Sequence, residues 1–152
     1  MNEIKGEISR RQLLKMASPL GKVTLETAAC TGCGLCALDC PTGALSVAPS
    51  GEAERYQLLF KHSLCIACGE CVEACPERCL RLERTVEPDR LNQPAAVLFD
   101  DEIVRCADCG RPLASRAMIN SIKAKLQAKE GETQFELCPE CKSKIHFSRM
   151  GS

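Results

Sequence analysis

The chain has no tryptophan, one tyrosine and four phenylalanines in 152 residues. Aromatic side chains supply much of the buried area of ordinary cores, so a large hydrophobic core is not expected. Long apolar runs are missing too. No stretch reaches the roughly 18 apolar residues that a spanning helix needs, so the chain is not expected to cross a membrane itself. Charge of one sign is also absent, with 20 Lys and Arg against 20 Asp and Glu. Residues 100–152 carry no basic stripe and no Trp or Tyr to stack on bases, so nucleic-acid binding is not expected. No glycine-rich phosphate loop, flavin fingerprint or histidine constellation is present. That argues against an enzyme with a substrate of its own.

What the chain does have is cysteine, thirteen residues of it. In a small secreted protein that number would suggest disulfides, but here nearly all fall into metal-ligand groups, which implies a reducing compartment. The length leaves room for one ordinary domain or two small ones.

Two stretches organise the rest. Cys30-Thr31-Gly32-Cys33-Gly34-Leu35-Cys36 leads to Cys40-Pro41, and Cys65-Ile66-Ala67-Cys68-Gly69-Glu70-Cys71 leads to Cys75-Pro76. Each reads C-x2-C-x2-C-x3-C-P, the bacterial ferredoxin run for a 4Fe–4S cluster. The repeat continues past the ligands at the same offset, Ala44 matching Cys79, Leu45 matching Leu80 and Val47 matching Leu82. Three cysteines at intervals of three let one loop wrap three corners of a cubane, with backbone N–H groups free to face its sulfurs. The fourth cysteine of such a run ligates the other cluster in two-cluster ferredoxins. The expected sets are therefore Cys30, Cys33, Cys36 and Cys75 for one cluster, and Cys65, Cys68, Cys71 and Cys40 for the other. Gly34 and Gly69 suit the close approach of backbone to cluster. Paired zinc sites or disulfides fit this spacing less well. Cys79 is the odd cysteine and reads as a small buried side chain. His62 reads as a surface residue.

Residues 1–22 form a basic arm. Its Ile8-Ser9-Arg10-Arg11-Gln12-Leu13-Leu14 resembles a twin-arginine export signal, but Lys22, Pro19 and the charged Glu26 interrupt any apolar region behind it. Export is not expected, and Ile8, Leu13, Leu14 and Leu20 are available to bury against a partner subunit. Residues 23–85 read as one module of pseudo-twofold β-α-β plan: a strand from Val23, a short helix over 34–40, a hairpin of 45–47 with 56–60 turning at Ala48–Glu52, and a closing strand at 80–82. Residues 86–102, with two prolines and no periodicity, read as a linker ending in the acidic Asp100-Asp101-Glu102.

Residues 103–147 form a second small module, followed by a tail at 148–152. Cys106-x2-Cys109 and Cys138-x2-Cys141 are two knuckles that present four thiolates tetrahedrally, which suits one zinc ion or a single iron. Zinc is favoured, because rubredoxin-like iron sites are rich in aromatics and this segment has only Phe135 and Phe147. A helix is expected from an N-cap at Ser115 to Glu130, with Met118, Ile119, Ile122 and Leu126 on one face and Gly131 past its end. His146 reads as exposed. The fold class is α+β: a bacterial dicluster ferredoxin-like domain plus a small zinc-ribbon or rubredoxin-like domain.

The ferredoxin runs, followed by Cys106-x2-Cys109, Arg111-Pro112, a helix and Phe135-Glu136-x-Cys138-Pro139-Glu140-Cys141-Lys142, together resemble the small iron–sulfur subunit of formate hydrogenlyase and related membrane-associated nickel–iron hydrogenases. The resemblance covers about residues 23–145. It implies a non-catalytic electron-transfer subunit with two 4Fe–4S clusters. Its expected partners are the hydrogenase small subunit or a formate dehydrogenase-like subunit, in the cytoplasm at the inner face of a membrane through the complex. The double-arginine arm is not a feature of that family. The alternative is a freely diffusing ferredoxin serving several enzymes. Such carriers present a strongly acidic face, whereas residues 27–82 have only 6 Asp/Glu against 4 Lys/Arg.

Overall fold

The computed structural model describes residues 21–48, 55–85, 87–127 and 133–150. The basic arm up to residue 20 and most of the turn expected at Ala48–Glu52 lie outside them. The elements read from residues 23–85 form in that order. Strand β1 (Lys22–Leu25) pairs antiparallel with β4 (Leu80–Glu83), placing Val23 opposite Leu82 and Leu25 opposite Leu80. Strand β2 (Leu45–Val47) pairs with β3 (Arg55–Phe60), Leu45 opposite Phe60. Two one-turn helices, α1 (Leu35–Leu38) and α2 (Glu70–Glu73), follow the cysteine loops. Each is entered through a glycine in the left-handed region, Gly34 at φ 77° and Gly69 at φ 89°. A side chain would be strained there. That backbone angle is what asks for glycine at Gly69, where an added Cβ would meet nothing within 4 Å.

The expected linker at 86–102 is corrected. Only its first part is irregular, with a single 3-10 turn at Pro88–Arg90. From Ala96 the chain enters β5 (Ala96–Arg105), ten residues long and antiparallel to β3. The acidic run that was read as a boundary lies inside this strand, Asp100 opposite Gln57 and Glu102 opposite Arg55. Acidic residues are poor strand formers, but these are matched by neighbours. Asp100 accepts from the Arg55 guanidinium and from Gln57 Nε2 at 3.0 Å, Glu102 from Arg116 Nε at 2.6 Å, and Asp101 from the Ala117 backbone N–H at 2.7 Å. A bulge shifts the register between Leu58 and Leu59, and β5 then pairs on its far end with β6 (Pro112–Ser115). The sheet order is β2-β3-β5-β6, with β1-β4 separate. One sheet therefore runs through both of the modules expected from the sequence.

Helix α3 (Arg116–Lys125) begins where expected, with Ser115 as N-cap, but ends at a Leu126 C-cap rather than at Glu130. Ile119 is buried while Ile122 and Leu126 are exposed, so the apolar face is only partly covered. A second C-terminal helix, α4 (Pro139–Met150), starts inside the second cysteine knuckle and runs through residues assigned to a tail. Pro139 at its first position and Glu140 in its first turn are ordinary helix-start signals that the knuckle reading had absorbed.

The main core is built from Val23, Ala44, Leu45, Leu58, Phe60, Leu80 and Phe99 around five buried cysteines, Cys36, Cys65, Cys71, Cys75 and Cys79. A smaller cluster holds Cys106, Cys138 and Cys141 with Leu113 and Leu137. Ser115 ties the start of α3 to the first cysteine loop. Its hydroxyl, 1% exposed, donates to the Thr31 carbonyl at 2.6 Å and accepts from the Met118 N–H at 3.2 Å. Beside it Gly32 packs so closely that a Cβ would stand 2.8 Å from Ser115 Oγ and 3.0 Å from the Phe99 ring. One hydroxyl thus caps α3 and holds the first cysteine loop. Ser115→Ala would leave a buried carbonyl and a helix N–H unpaired at once, at a cost of about 2 kcal/mol. The expected readout is a lower denaturation midpoint of the metal-loaded protein, with Ser115→Thr closer to wild type than the alanine variant.

Candidate metal centres

The eight cysteines of the two runs come together as two fours. One cavity, about 330 Å³ of space free of protein atoms and partly open to solvent, is lined by Cys30, Cys33, Cys36 and Cys75. The other, about 310 Å³, is lined by Cys65, Cys68, Cys71 and Cys40. In each, three cysteines come from one loop and the fourth from the start of the turn after the other run. The crossing follows from the fold: α1 and α2 carry Cys40 and Cys75 away from their own loops toward the neighbouring cavity.

Electrostatics follow the same division for the most part. Burial pushes the Cys36 thiol up to about 12, reinforced by Cys33, Cys30 and Cys75 and, least, by Cys71 of the other four. Burial pushes Cys71 up to about 11, reinforced by Cys40, Cys65 and Cys68. The fourth cysteines behave differently. At Cys40 burial acts upward but is outweighed by the Leu45 N–H, 3.5 Å from Sγ, and by the Thr42 hydroxyl and N–H and the Ala44 N–H, so the thiol lies below its ordinary value. Cys75 is likewise lowered against burial, by the backbone N–H of Cys79, the Cys79 side chain and the N–H groups of Glu77 and Leu80. The turn after each C-P is therefore a nest of N–H groups around one sulfur, an arrangement that holds anions. The sequence offered no direct sign of these nests beyond the repeat itself.

The donor chemistry fits a 4Fe–4S cluster in each cavity. Four thiols face a common space, one held in an anion nest, and buried thiols of raised pKa carry charge only when a cation takes up their protons' place. A buried polar atom points the same way. The Tyr56 hydroxyl lines the Cys30-side cavity, is sealed from solvent and has no hydrogen-bond partner among the described residues. Burial first, then the charges of Cys36, Cys33 and Cys30, raise its pKa. In the sequence Tyr56 reads as a strand residue, and only its being the single tyrosine of an aromatic-poor chain marks it out.

Cys79 is buried as expected, and its Sγ lies 3.4 Å from that of Cys75 on the wall of the same cavity. His62 is corrected: it is 5% exposed, packs edge-on against Phe60 and accepts from the Glu87 N–H at 3.3 Å through Nε2. His146 is exposed and lies apart from the quartet of sulfurs.

The C-terminal quartet is Cys106, Cys109, Cys138 and Cys141, whose sulfurs all lie within 4.8 Å of one another. The Cys109 and Cys138 sulfurs are 3.7 Å apart. A regular tetrahedron of thiolates about 2.3 Å from a central ion has edges of about 3.8 Å, so the site has the right size for one four-coordinate ion. Cys138 N–H faces Cys106 Sγ at 3.3 Å and Cys141 N–H faces Cys138 Sγ at 3.5 Å. The N–H groups of Cys109, Cys138 and Asp108 lower Cys106 to about 6, so it is ready to bind as thiolate. Arg111 Nη1 bridges to Glu140 at 2.9 Å, clasping the two knuckles from outside.

No helix among the described residues is long and apolar enough to cross a membrane. No curated protein matches the chain. Residues 29–79 match the sequence model of a family described as a 4Fe-4S dicluster domain. That segment begins one residue before Cys30 and ends on Cys79, so it takes in all eight cysteines of the two runs, the crossed Cys40 and Cys75 among them. The match covers about a third of the chain, and together with the cysteine clusters it supports an iron–sulfur, ferredoxin-like protein with an electron-transfer role.

Proposed function

We propose that the protein is a non-catalytic electron-transfer subunit of a larger oxidoreductase complex, of the hydrogenase or formate dehydrogenase type. The observation that carries this is the pair of adjoining four-thiol cavities with exchanged fourth cysteines. In this reading Cys30, Cys33, Cys36 and Cys75 hold one 4Fe–4S cluster, and Cys65, Cys68, Cys71 and Cys40 hold the other. Each cluster would supply a one-electron couple. The protein's part is to bind, space and insulate. The loops wrap three corners, the N–H nests at Cys40 and Cys75 hold the fourth, and Leu45, Leu58, Phe60 and Leu80 keep water from the space between.

Membership of a complex is supported by apolar side chains that this chain leaves uncovered. Leu38, 79% exposed, and Leu35 stand on α1 at the mouth of the Cys30 loop, where a partner's cofactor could approach the cluster. The quartet Cys106, Cys109, Cys138 and Cys141 holds a structural zinc ion in this reading, with a single iron as the alternative; it stiffens the sheet and supports docking. A cytoplasmic position at the inner face of a membrane follows from such partners.

Exchange of the fourth ligand is tested by pairs of substitutions, using iron per chain after anaerobic purification. Cys30→Ser/Cys75→Ser strikes one cluster twice and should retain about four iron atoms, the content of the other cubane. Cys65→Ser/Cys75→Ser strikes both and should retain almost none. The opposite ranking would show that each run keeps its own fourth cysteine. Cys106→Ser should abolish the stoichiometric zinc while leaving both cluster EPR signals in place and weakening complex assembly. Loss of the EPR signals in that variant would instead make the quartet part of the electron path. Complex membership itself is read by affinity purification from the native host. Companions in fixed proportion support it, and elution at the chain's own mass with both clusters present supports the diffusing ferredoxin.

A further inference from the structure

The two cavities can be compared wall by wall. Of the thirteen residues lining each, twelve have a counterpart 35 positions away lining the other. Val23 answers to Leu58, Phe60 to Leu25, and Leu45 to Leu80. With so much matched, the departures stand out. Tyr56 lines the Cys30-side cavity, and the residue 35 positions before it is Gly21, which has no side chain to offer. Nor could another residue easily stand there, because a Cβ on Gly21 would lie 2.7 Å from Cys65 Sγ. Cys79, beside Cys75 Sγ at 3.4 Å, stands where the other cavity has Ala44.

Two further polar differences remain, Thr31 against Ile66 and Glu77 against Thr42, and buried Thr31 puts another hydroxyl on the Cys30-side wall. Glu77 carries a charge that would disfavour a further negative charge nearby, but Lys125 Nζ at 2.7 Å neutralises it. Thr42 gives the Cys65-side cavity a hydroxyl, 3.8 Å from Cys40 Sγ, which is a long contact. The balance is Tyr56, Cys79 and the Thr31 hydroxyl on the Cys30 side against one long contact on the other. The Tyr56 hydroxyl has no acceptor among the described residues, and a buried donor without a partner is costly. A cluster sulfur or a ligating thiolate in that cavity is the acceptor the geometry leaves open.

We propose that Tyr56, assisted by Cys79, sets the two centres at unequal reduction potentials, the Cys30-side centre being the easier to reduce. This rests on the cluster assignment above. Reduction adds one negative charge to a centre, and hydrogen bonds to its sulfurs stabilise the reduced form more than the oxidised one, which raises the potential. With such a difference, an electron that a one-electron reductant gave to the Cys65-side centre would be favoured to move on to the Cys30-side centre, the first returning to its oxidised state, while Tyr56 keeps its proton and only donates a hydrogen bond. The Cys30-side centre is also the one whose loop is held by Ser115 and flanked by the exposed Leu35 and Leu38. The electron thus comes to rest beside the uncovered apolar surface.

The test is an EPR-monitored dithionite titration of full-length wild type, Tyr56→Phe and Cys79→Ala, with iron and sulfide counted first. Wild type should reduce in two steps. Tyr56→Phe, which removes one oxygen atom and keeps the ring, should move only the first step to lower potential. The expected size is about tenfold in the reduced-to-oxidised ratio at fixed potential, or 59 mV for a one-electron couple. Cys79→Ala should move the same step by less. Two steps unmoved by Tyr56→Phe, or movement of the second step alone, would overturn the inference while leaving the cluster assignment standing. A wild-type iron count far below two cubanes would overturn both, and it is read before any potential is measured.

Discussion

Thiols that must carry charge are packed here where charge is least welcome. Four of the eight cysteines of the two runs, together with Cys79, sit in the main core beside Leu, Val and Phe, and burial raises Cys36 to about 12 and Cys71 to about 11. Ordinary side-chain packing cannot resolve that conflict. The aromatic-poor composition makes the same point from the other direction, since few large side chains are available to fill the space. The fold is arranged so that the inorganic centre is the core, with apolar residues forming a thin wall around it. Stability and metal loading are then the same quantity seen from two sides.

The polypeptide relieves part of the conflict with its own backbone. The N–H groups that follow Pro41 and Pro76 converge on Cys40 and Cys75, and those of the knuckles converge on Cys106. The side chains that help them are uncharged, the Thr42 hydroxyl and the Cys79 and Cys109 thiols. Fixed peptide dipoles need no reorganisation when the charge on a centre changes, which suits a protein whose task is to let one electron arrive and leave. The ion pairs stand at the rims of these sites rather than on the sulfurs, Lys125–Glu77 beside one cavity and the exposed Arg111–Glu140 outside the knuckles; individually such pairs contribute little.

Much of this was legible in the sequence because metal-ligand spacing is a local property. The cysteine loops, the short helices behind them, the strands at 22–25, 45–47, 55–60 and 80–83 and the N-cap at Ser115 could each be read from a few adjacent residues. What escaped was decided by partners distant in the chain. Asp100-Asp101-Glu102 reads as a polar boundary until Arg55, Gln57, Arg116 and the α3 N-terminus are brought beside it. His62 reads as exposed until Phe60 and Glu87 cover it. Helix α4 was hidden for a different reason, since Pro139 and Glu140 belong at once to a metal knuckle and to a helix start.

Strand β5 has a further consequence for anyone who wishes to dissect the protein. The composition invites a cut near residue 86, releasing a compact ferredoxin of familiar size. Such a cut would strip β3 of its neighbour along its whole length, from Arg55 opposite Glu102 to Phe60 opposite Ala96. The excised half would carry a raw sheet edge, with Leu58 and Leu59 flanking the seam, and bare edges of that kind recruit other chains and aggregate. The two halves share a backbone ladder, and in this protein modularity ends at that ladder.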